Sequence, residues 1–176
     1  MKSSIALIGF MGTGKTAVGK ALADKLSKEF VELDSLIEQI GGKTIPEIFK
    51  EDGEIAFREL EIESVKQVSE KKNTVIACGG GVVLNKINID RLRKESVIVY
   101  LTASPKMILK RTSRDVTDRP LLKVANPALT IQELIKFRKP FYERAADITI
   151  NTSNLSVASV VKQIISRLRE DEGFNL

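Results

Sequence analysis

The residues best equipped for chemistry stand in IGFMGTGKT, positions 8–16, directly behind the apolar stretch SIAL at 4–7. Gly9, Gly14, Lys15 and Thr16 satisfy the spacing G-x-x-x-x-G-K-[ST]. Their context is the one this motif requires, an apolar strand before it and a helical segment after it. Glycines let the backbone turn so that consecutive N–H groups point at phosphate oxygens, and the positive end of the following helix adds to that field. The stretch Gly12, Thr13, Gly14, Lys15, Thr16 and Ala17 is therefore expected to hold the phosphates of a nucleoside triphosphate. Lys15 would reach the β- and γ-phosphates and the Thr16 hydroxyl would ligate Mg²⁺.

A phosphoryl group held this way can go to water or to an acceptor. GTPases and motor ATPases use a second strand ending in Asp to help hold the metal. Here NTVIACGGG, 73–81, ends in Cys and three glycines, with no acid. Gly79, Gly80 and Gly81 instead let a strand end approach a bound molecule closely. Three arginines add anion-binding capacity: Arg58 in DGEIAFRELE, Arg119 in DRPLL and Arg138 in FRKPFYERA. An isolated arginine is ordinarily a solvated residue, but its planar fork suits bidentate capture of a carboxylate or phosphate. The chain contains no His, so proton transfer falls to a carboxylate, a Lys or the substrate.

The elements that must position these groups alternate along the chain. SIALIG (3–9 region), FVEL (30–33), TVIAC (74–78), SVIVYL (96–101) and DITI (147–150) read as strands. Most are nearly all apolar, as parallel strands covered on both faces are. Helices are expected at 15–28, at 54–71, after the cap pair Ser104-Pro105, and from a capping box at Thr130 and Glu133 to about Ala146. A final helix carries Val157, Val160, Val161, Ile164, Ile165 and Leu168 on one stripe. This alternation predicts a three-layer α/β/α fold with a mostly parallel sheet. The irregular stretch is 112–129, TSRDVTDRPLLKVANPAL, which reads as a lid.

The 176 residues suit one domain with a real core. An apolar share of 43% and a charged share of 29% read as a soluble globular chain. No window approaches the roughly 20 apolar residues of a membrane span, and the first strand starts too early for a signal peptide. The single cysteine, Cys78, excludes an internal disulfide and fits a reducing cytoplasm. The net charge of +5 comes without Trp and with few aromatics, which argues for small anionic ligands rather than nucleic acid.

With these residues in place the chain resembles the shikimate kinases from Ile5 to about Leu168. The resemblance rests on GFMGTGKTAVGKALA (9–23), FVELDSLIE (30–38), IPEIFKEDGEIAFRELE (45–61), GGGVV (79–83), VYL (99–101), DRPLL (118–122) and RKPFYERAAD (138–147). It implies a nucleoside-monophosphate-kinase type of fold, a P-loop kinase with a five-stranded parallel sheet, a lid at about 112–124 and a substrate-binding part at about 33–61, all within one domain spanning 1–176. The implied reaction is transfer of the ATP γ-phosphoryl group to the 3-hydroxyl of shikimate. On that basis Asp34 matches the carboxylate that binds ring hydroxyls and could accept the proton. Arg58 and Arg138 match the pair that grips the substrate carboxylate, and Gly79, Gly80 and Gly81 lie beside the ring. Arg119 matches the lid arginine that reaches the ATP phosphates, Arg111 the one that stacks on adenine, and Ser153 with Asn154 falls in the adenine loop. Glu32 stands where the family usually has Asp, and is expected to hold Mg²⁺ with Thr16; a Glu facing solvent at a strand end is the alternative. The implied setting is a cytoplasmic monomer acting on ATP and shikimate. A gluconate kinase on the same scaffold and a non-catalytic nucleotide or metabolite sensor are the other readings; the presence of Lys15, Asp34 and Arg119 counts against the sensor.

Overall fold

The computed structural model describes residues 1–113 and 124–176. Arg119 and most of the lid expected at 112–124 lie outside the described residues.

The chain alternates strand and helix, and the five strands join one parallel sheet. The strands are β1 (Ser4–Ile8), β2 (Glu29–Glu32), β3 (Thr74–Ala77), β4 (Ser96–Thr102) and β5 (Ile148–Asn151), in the spatial order β2-β3-β1-β4-β5. The register sets Ala6 opposite Ile76 on one side and Ile98 on the other. The central strand therefore ends in the middle of the sheet's carboxyl edge, where open α/β sheets bind ligands.

Period-two alternation divides β1 between two cores. Ala6 and Ile8 face a cluster with Leu33, Phe57, Leu92 and Tyr142, and Ile5 and Leu7 face one with Val18, Leu22, Ile164 and Leu168. The helices supplying these faces are α1 (Lys15–Leu26), α2 (Leu33–Gly41), α3 (Ile45–Glu51), α4 (Gly53–Val68), α5 (Lys86–Leu92), α7 (Pro127–Ala145) and α8 (Val157–Arg169), while α6 (Pro105–Thr112) packs through Ile108 against Phe10 and Ile131 in a smaller third cluster. The sheet is thus covered on both sides, the arrangement that near-continuous apolar strands demand. Along α8, Val160, Val161, Ile164 and Leu168 are buried as the stripe predicts.

Several local boundaries differ from the sequence reading. The helix expected from Thr130 begins earlier, at Pro127, because Asn126 caps it: the Leu129 N–H donates to Asn126 Oδ1 at 3.1 Å. An Asn-Pro pair supplies both a cap acceptor and a preset first turn, which outcompetes the Thr130 box. Thr130 sits inside the helix, its hydroxyl donating to the Asn126 carbonyl at 3.1 Å. The irregular stretch 112–129 is shortened at both ends, since Thr112 closes α6 and Pro127 opens α7. FVEL is a strand only to Glu32, because Leu33 already begins α2. The Ser104 cap is as expected, accepting from the Met107 N–H at 3.2 Å.

Candidate active site

Chain direction changes sharply where β1 stops. Gly9, Gly12 and Gly14 hold φ of 148°, 75° and 100°, and a Cβ on Gly9 would run into the Leu101 carbonyl oxygen. Only glycine takes that turn at that distance from β4. The Thr13 hydroxyl closes the loop by donating to the Phe10 carbonyl at 2.8 Å. Helix α1 then starts at Lys15 without a side-chain cap. The first N–H groups of a helix have no acceptor within it, which makes this helix start suited to an anionic ligand. Lys15 folds back over the loop, its Nζ donating to the Gly9 and Phe10 carbonyls at 2.8 and 2.9 Å.

The strand next to the expected position of an acid carries none, but the edge strand does. Glu32 ends β2, half-buried, and hydrogen-bonds the Thr16 side chain. Burial raises its pKa, the Thr16 bond opposes that, and the Asp34 charge raises it further. Glu32 therefore faces the phosphate loop and not open solvent. Among the described residues no three His, Cys, Asp or Glu side chains group as a metal site. Mg²⁺ does not require one: it keeps several waters and takes one or two protein oxygens beside phosphate. The adjoining Thr16 hydroxyl and Glu32 carboxylate fit that donor set.

Below the loop a cavity of about 810 Å³ runs from Gly14, Lys15 and Thr16 to Asp34, Arg58, Glu61, Gly79, Gly80, Gly81 and Arg138. That volume accommodates a small organic ligand. Met11, Ile45, Phe49 and Phe57 give it an apolar wall, with the two phenylalanine rings 4.6 Å apart. Asp34 lies in the first turn of α2 with its carboxylate against Gly79, where a Cβ would come within 3.0 Å of Oδ1.

Both expected arginines converge on the glycine turn. The Arg58 guanidinium lies so close to Gly81 that a Cβ there would overlap its terminal nitrogens and stand 2.8 Å from Cζ. Arg138 Nη1 lies 3.5 Å from where a Gly80 Cβ would be. Arg58 is held by Glu61, one turn on in α4, at 3.0 Å, and more loosely by Glu54 at 3.4 Å. Glu61 is 0% exposed, and burial raises its pKa while the Arg58 charge opposes the shift. Arg138 is 6% exposed, and its Nε has no hydrogen-bond partner among the described residues. A buried guanidinium that lines a cavity, with one donor unsatisfied, is suited to an anionic ligand.

Arg111 lines the same cavity beside the phosphate loop. Its guanidinium donates to the Gly12 carbonyl at 3.1 Å, Thr152 Oγ1 at 3.1 Å and the Thr152 carbonyl at 2.8 Å. Thr152 in turn donates to the Thr13 carbonyl at 2.8 Å, joining the end of β5 to the phosphate loop. Ser153 accepts from the Ser104 N–H at 2.9 Å, which ties its loop to the start of α6; Asn154 beside it is exposed. Ser153 and Thr13 hold the loops in place without lining the cavity.

Sequence reasoning passes over Glu61, Tyr142, Thr152 and the Phe49–Phe57 wall. Glu61 had a local signal, its i,i+3 spacing from Arg58. Thr152 had none, because its partner Thr13 lies 139 residues away in the chain.

A family model described as shikimate kinase matches residues 11–169. The chain is 48% identical over 162 residues to a shikimate kinase of Caldanaerobacter subterraneus subsp. tengcongensis, covering 92% of this chain and 94% of that protein. Its structure superposes on a shikimate kinase from Acinetobacter baumannii in complex with shikimate with a TM-score of 0.93 and 36% identity, covering 98% of this chain and 96% of that one. A gluconokinase from Sinorhizobium meliloti 1021 shares the fold, with a TM-score of 0.60 at 17% identity over 96% and 92% of the two chains.

Proposed function

The chain belongs to the shikimate kinase family, and from that premise we propose how its own residues divide the work. The protein is a phosphotransferase that moves the γ-phosphoryl group of ATP onto shikimate, giving shikimate 3-phosphate and ADP. The observation that carries the assignment of the acceptor side is the buried Arg138, facing the same glycine turn as Arg58. Two guanidiniums at one end of a cleft, with a phosphate loop at the other, suit an acceptor bearing a carboxylate at one end and a hydroxyl at the other. The cleft residues from about 33 to 61 form the acceptor-binding part on this reading.

Arg58 and Arg138 grip the shikimate carboxylate, Phe49 and Phe57 pack against the ring, and Asp34 binds the ring hydroxyls nearest the loop. The acceptor oxygen forms its bond to phosphorus as the bond from phosphorus to the β–γ bridging oxygen breaks. The hydroxyl proton passes to Asp34 or to water, and ADP leaves. Phosphoryl transfer needs positioning and charge stabilisation more than covalent help, so a cleft without His suffices. Lys15 and the loop N–H groups supply positive charge at the transferred group. Arg119, outside the described residues, is assigned the same task from the lid at about 112–124. Thr16 and Glu32 would hold Mg²⁺, which when bound neutralises charge on the β- and γ-phosphates. Arg111 and Ser153 flank the nucleotide's base. None of the described helices is long and apolar enough to cross a membrane. We assign the enzyme to the cytoplasm as a monomer, with the buried thiol of Cys78 consistent with a reducing compartment.

A ligand-based thermodynamic cycle tests the grip. Shikimate and its methyl ester are titrated by calorimetry into the wild type and into Arg138→Ala. Esterification should weaken wild-type binding by about 10- to 100-fold, and should cost Arg138→Ala much less, because the lost charge and the lost guanidinium are one contact. Equal losses in both proteins would remove Arg138 from the carboxylate site.

A further inference from the structure

We propose that Tyr142 is a positioning residue of the acceptor site, its buried phenol holding the Gly80 carbonyl from behind while steadying Arg138 beside it. The inference rests on the shikimate kinase reading above and adds to it a residue that is fully buried and does not line the cavity.

Tyr142 is 0% exposed, and its hydroxyl donates to the Gly80 carbonyl at 2.5 Å, a contact spanning 62 residues of sequence. The ring is fixed on its face by Tyr100 of β4, with centroids 4.9 Å apart and planes 17° from parallel. Phe would fill the same volume and make the same stack, so packing does not account for the hydroxyl. A buried O–H carries a desolvation cost that only its hydrogen bond offsets. Burial also pushes the phenol pKa up, which keeps the group a neutral donor.

The position of that bond matters. On either side of Gly80 the turn is closed by local bonds, Val82 N–H to the Gly79 carbonyl at 3.2 Å and Leu84 N–H to the Gly81 carbonyl at 3.0 Å. The Gly80 carbonyl is the one that reaches across to α7. Fixing it fixes the plane of the Gly80–Gly81 peptide, because that unit is rigid. Gly81 backs the Arg58 guanidinium, and Gly80 backs Arg138. Arg138 lies one helical turn before Tyr142, with its charge acting directly on the phenol. One O–H therefore couples the glycine turn to both arginine walls.

Tyr142→Phe tests this by steady-state kinetics and thermal melting, with Tyr100→Phe as the control that loses a hydroxyl without touching Gly80. Tyr142→Phe should raise the shikimate KM by about 3- to 10-fold, leave the ATP KM within about twofold, and behave differently from Tyr100→Phe. A purely structural hydroxyl would lower the melting temperature and leave the shikimate KM of the folded protein unchanged, which would overturn the inference. The chain has 2 tyrosines, so fluorotyrosine labelling gives a second readout that does not depend on Tyr142→Phe folding. The fluorine resonance that persists in Tyr100→Phe should shift when shikimate saturates the protein, and an unmoved resonance would count equally against the proposal. A wild-type enzyme that fails to turn over shikimate would instead defeat the parent reading.

Discussion

Lys15→Met is expected to lower kcat by about 10³-fold or more, the scale on which removal of a group stabilising transition-state charge is felt. Its Nζ lies on the carbonyls of Gly9 and Phe10, at the foot of the phosphate loop, and lines the cavity that reaches Asp34. On the proposed reading it turns from there to the γ-phosphoryl group, where charge builds as the bond to ADP stretches. The Met side chain keeps the stem's volume, and the loop N–H groups still bind phosphate, so the ATP KM should move far less than kcat. Steady-state rates with ATP varied at saturating shikimate separate the two. A kcat within tenfold of wild type would mean that Lys15 holds the ground state and no more.

The second large effect falls on the acceptor. Arg58→Ala and Arg138→Ala should each raise the shikimate KM by about 10- to 100-fold, since each removes a charged contact worth roughly 1.5–3 kcal/mol. The two should part company in stability. Arg58 is the ion-pair partner of Glu61, which is 0% exposed, so Arg58→Ala strands a buried carboxylate. Arg58→Ala is therefore expected to melt earlier than Arg138→Ala, and the double variant Arg58→Ala/Glu61→Gln to recover melting temperature without recovering KM. Arg138→Lys should not rescue Arg138→Ala, because an ammonium lacks the planar fork that meets a carboxylate with two bonds. Melting curves and shikimate kinetics on the four proteins check all of this; an unchanged KM in both arginine variants would refute the carboxylate grip.

How much of this was legible before the structure depended on how local the cause was. The phosphate loop was legible because its spacing encodes its conformation: Gly9, Gly12 and Gly14 all adopt positive φ. The five strands were legible as short apolar runs, and their parallel arrangement followed from the helices between them. The short helices α3 and α5 had too few turns to show periodicity, although α3 carries a capping box in which Thr44 and Glu47 exchange hydrogen bonds. Helix α2 did carry the signal, with Leu33, Leu36, Ile37 and Ile40 at helical spacing directly after β2, and was passed over. Asp34, Arg58 and Arg138 could be named from their motifs, but their meeting at the glycine turn is a consequence of sheet order, which sets β3 between β1 and β2. Tyr142 is four residues from Arg138 and was passed over, since its partner Gly80 is distant in sequence and the bond exists only once α7 packs against the end of β3.

Glu32 shows the limit from the other side. A longer acid at that position could turn to solvent or to the loop, and composition does not choose between them. The Thr16 hydroxyl bond chooses the loop.

The most direct test is ADP release in the presence of Mg²⁺, first with ATP alone and then with shikimate, gluconate or AMP added. Turnover well above the ATP-only rate is expected with shikimate alone, and the product should carry its phosphate on the 3-hydroxyl. Turnover with gluconate or AMP and none with shikimate would contradict the account, leaving the phosphate loop intact and the assignment of Arg58, Arg138 and Asp34 wrong.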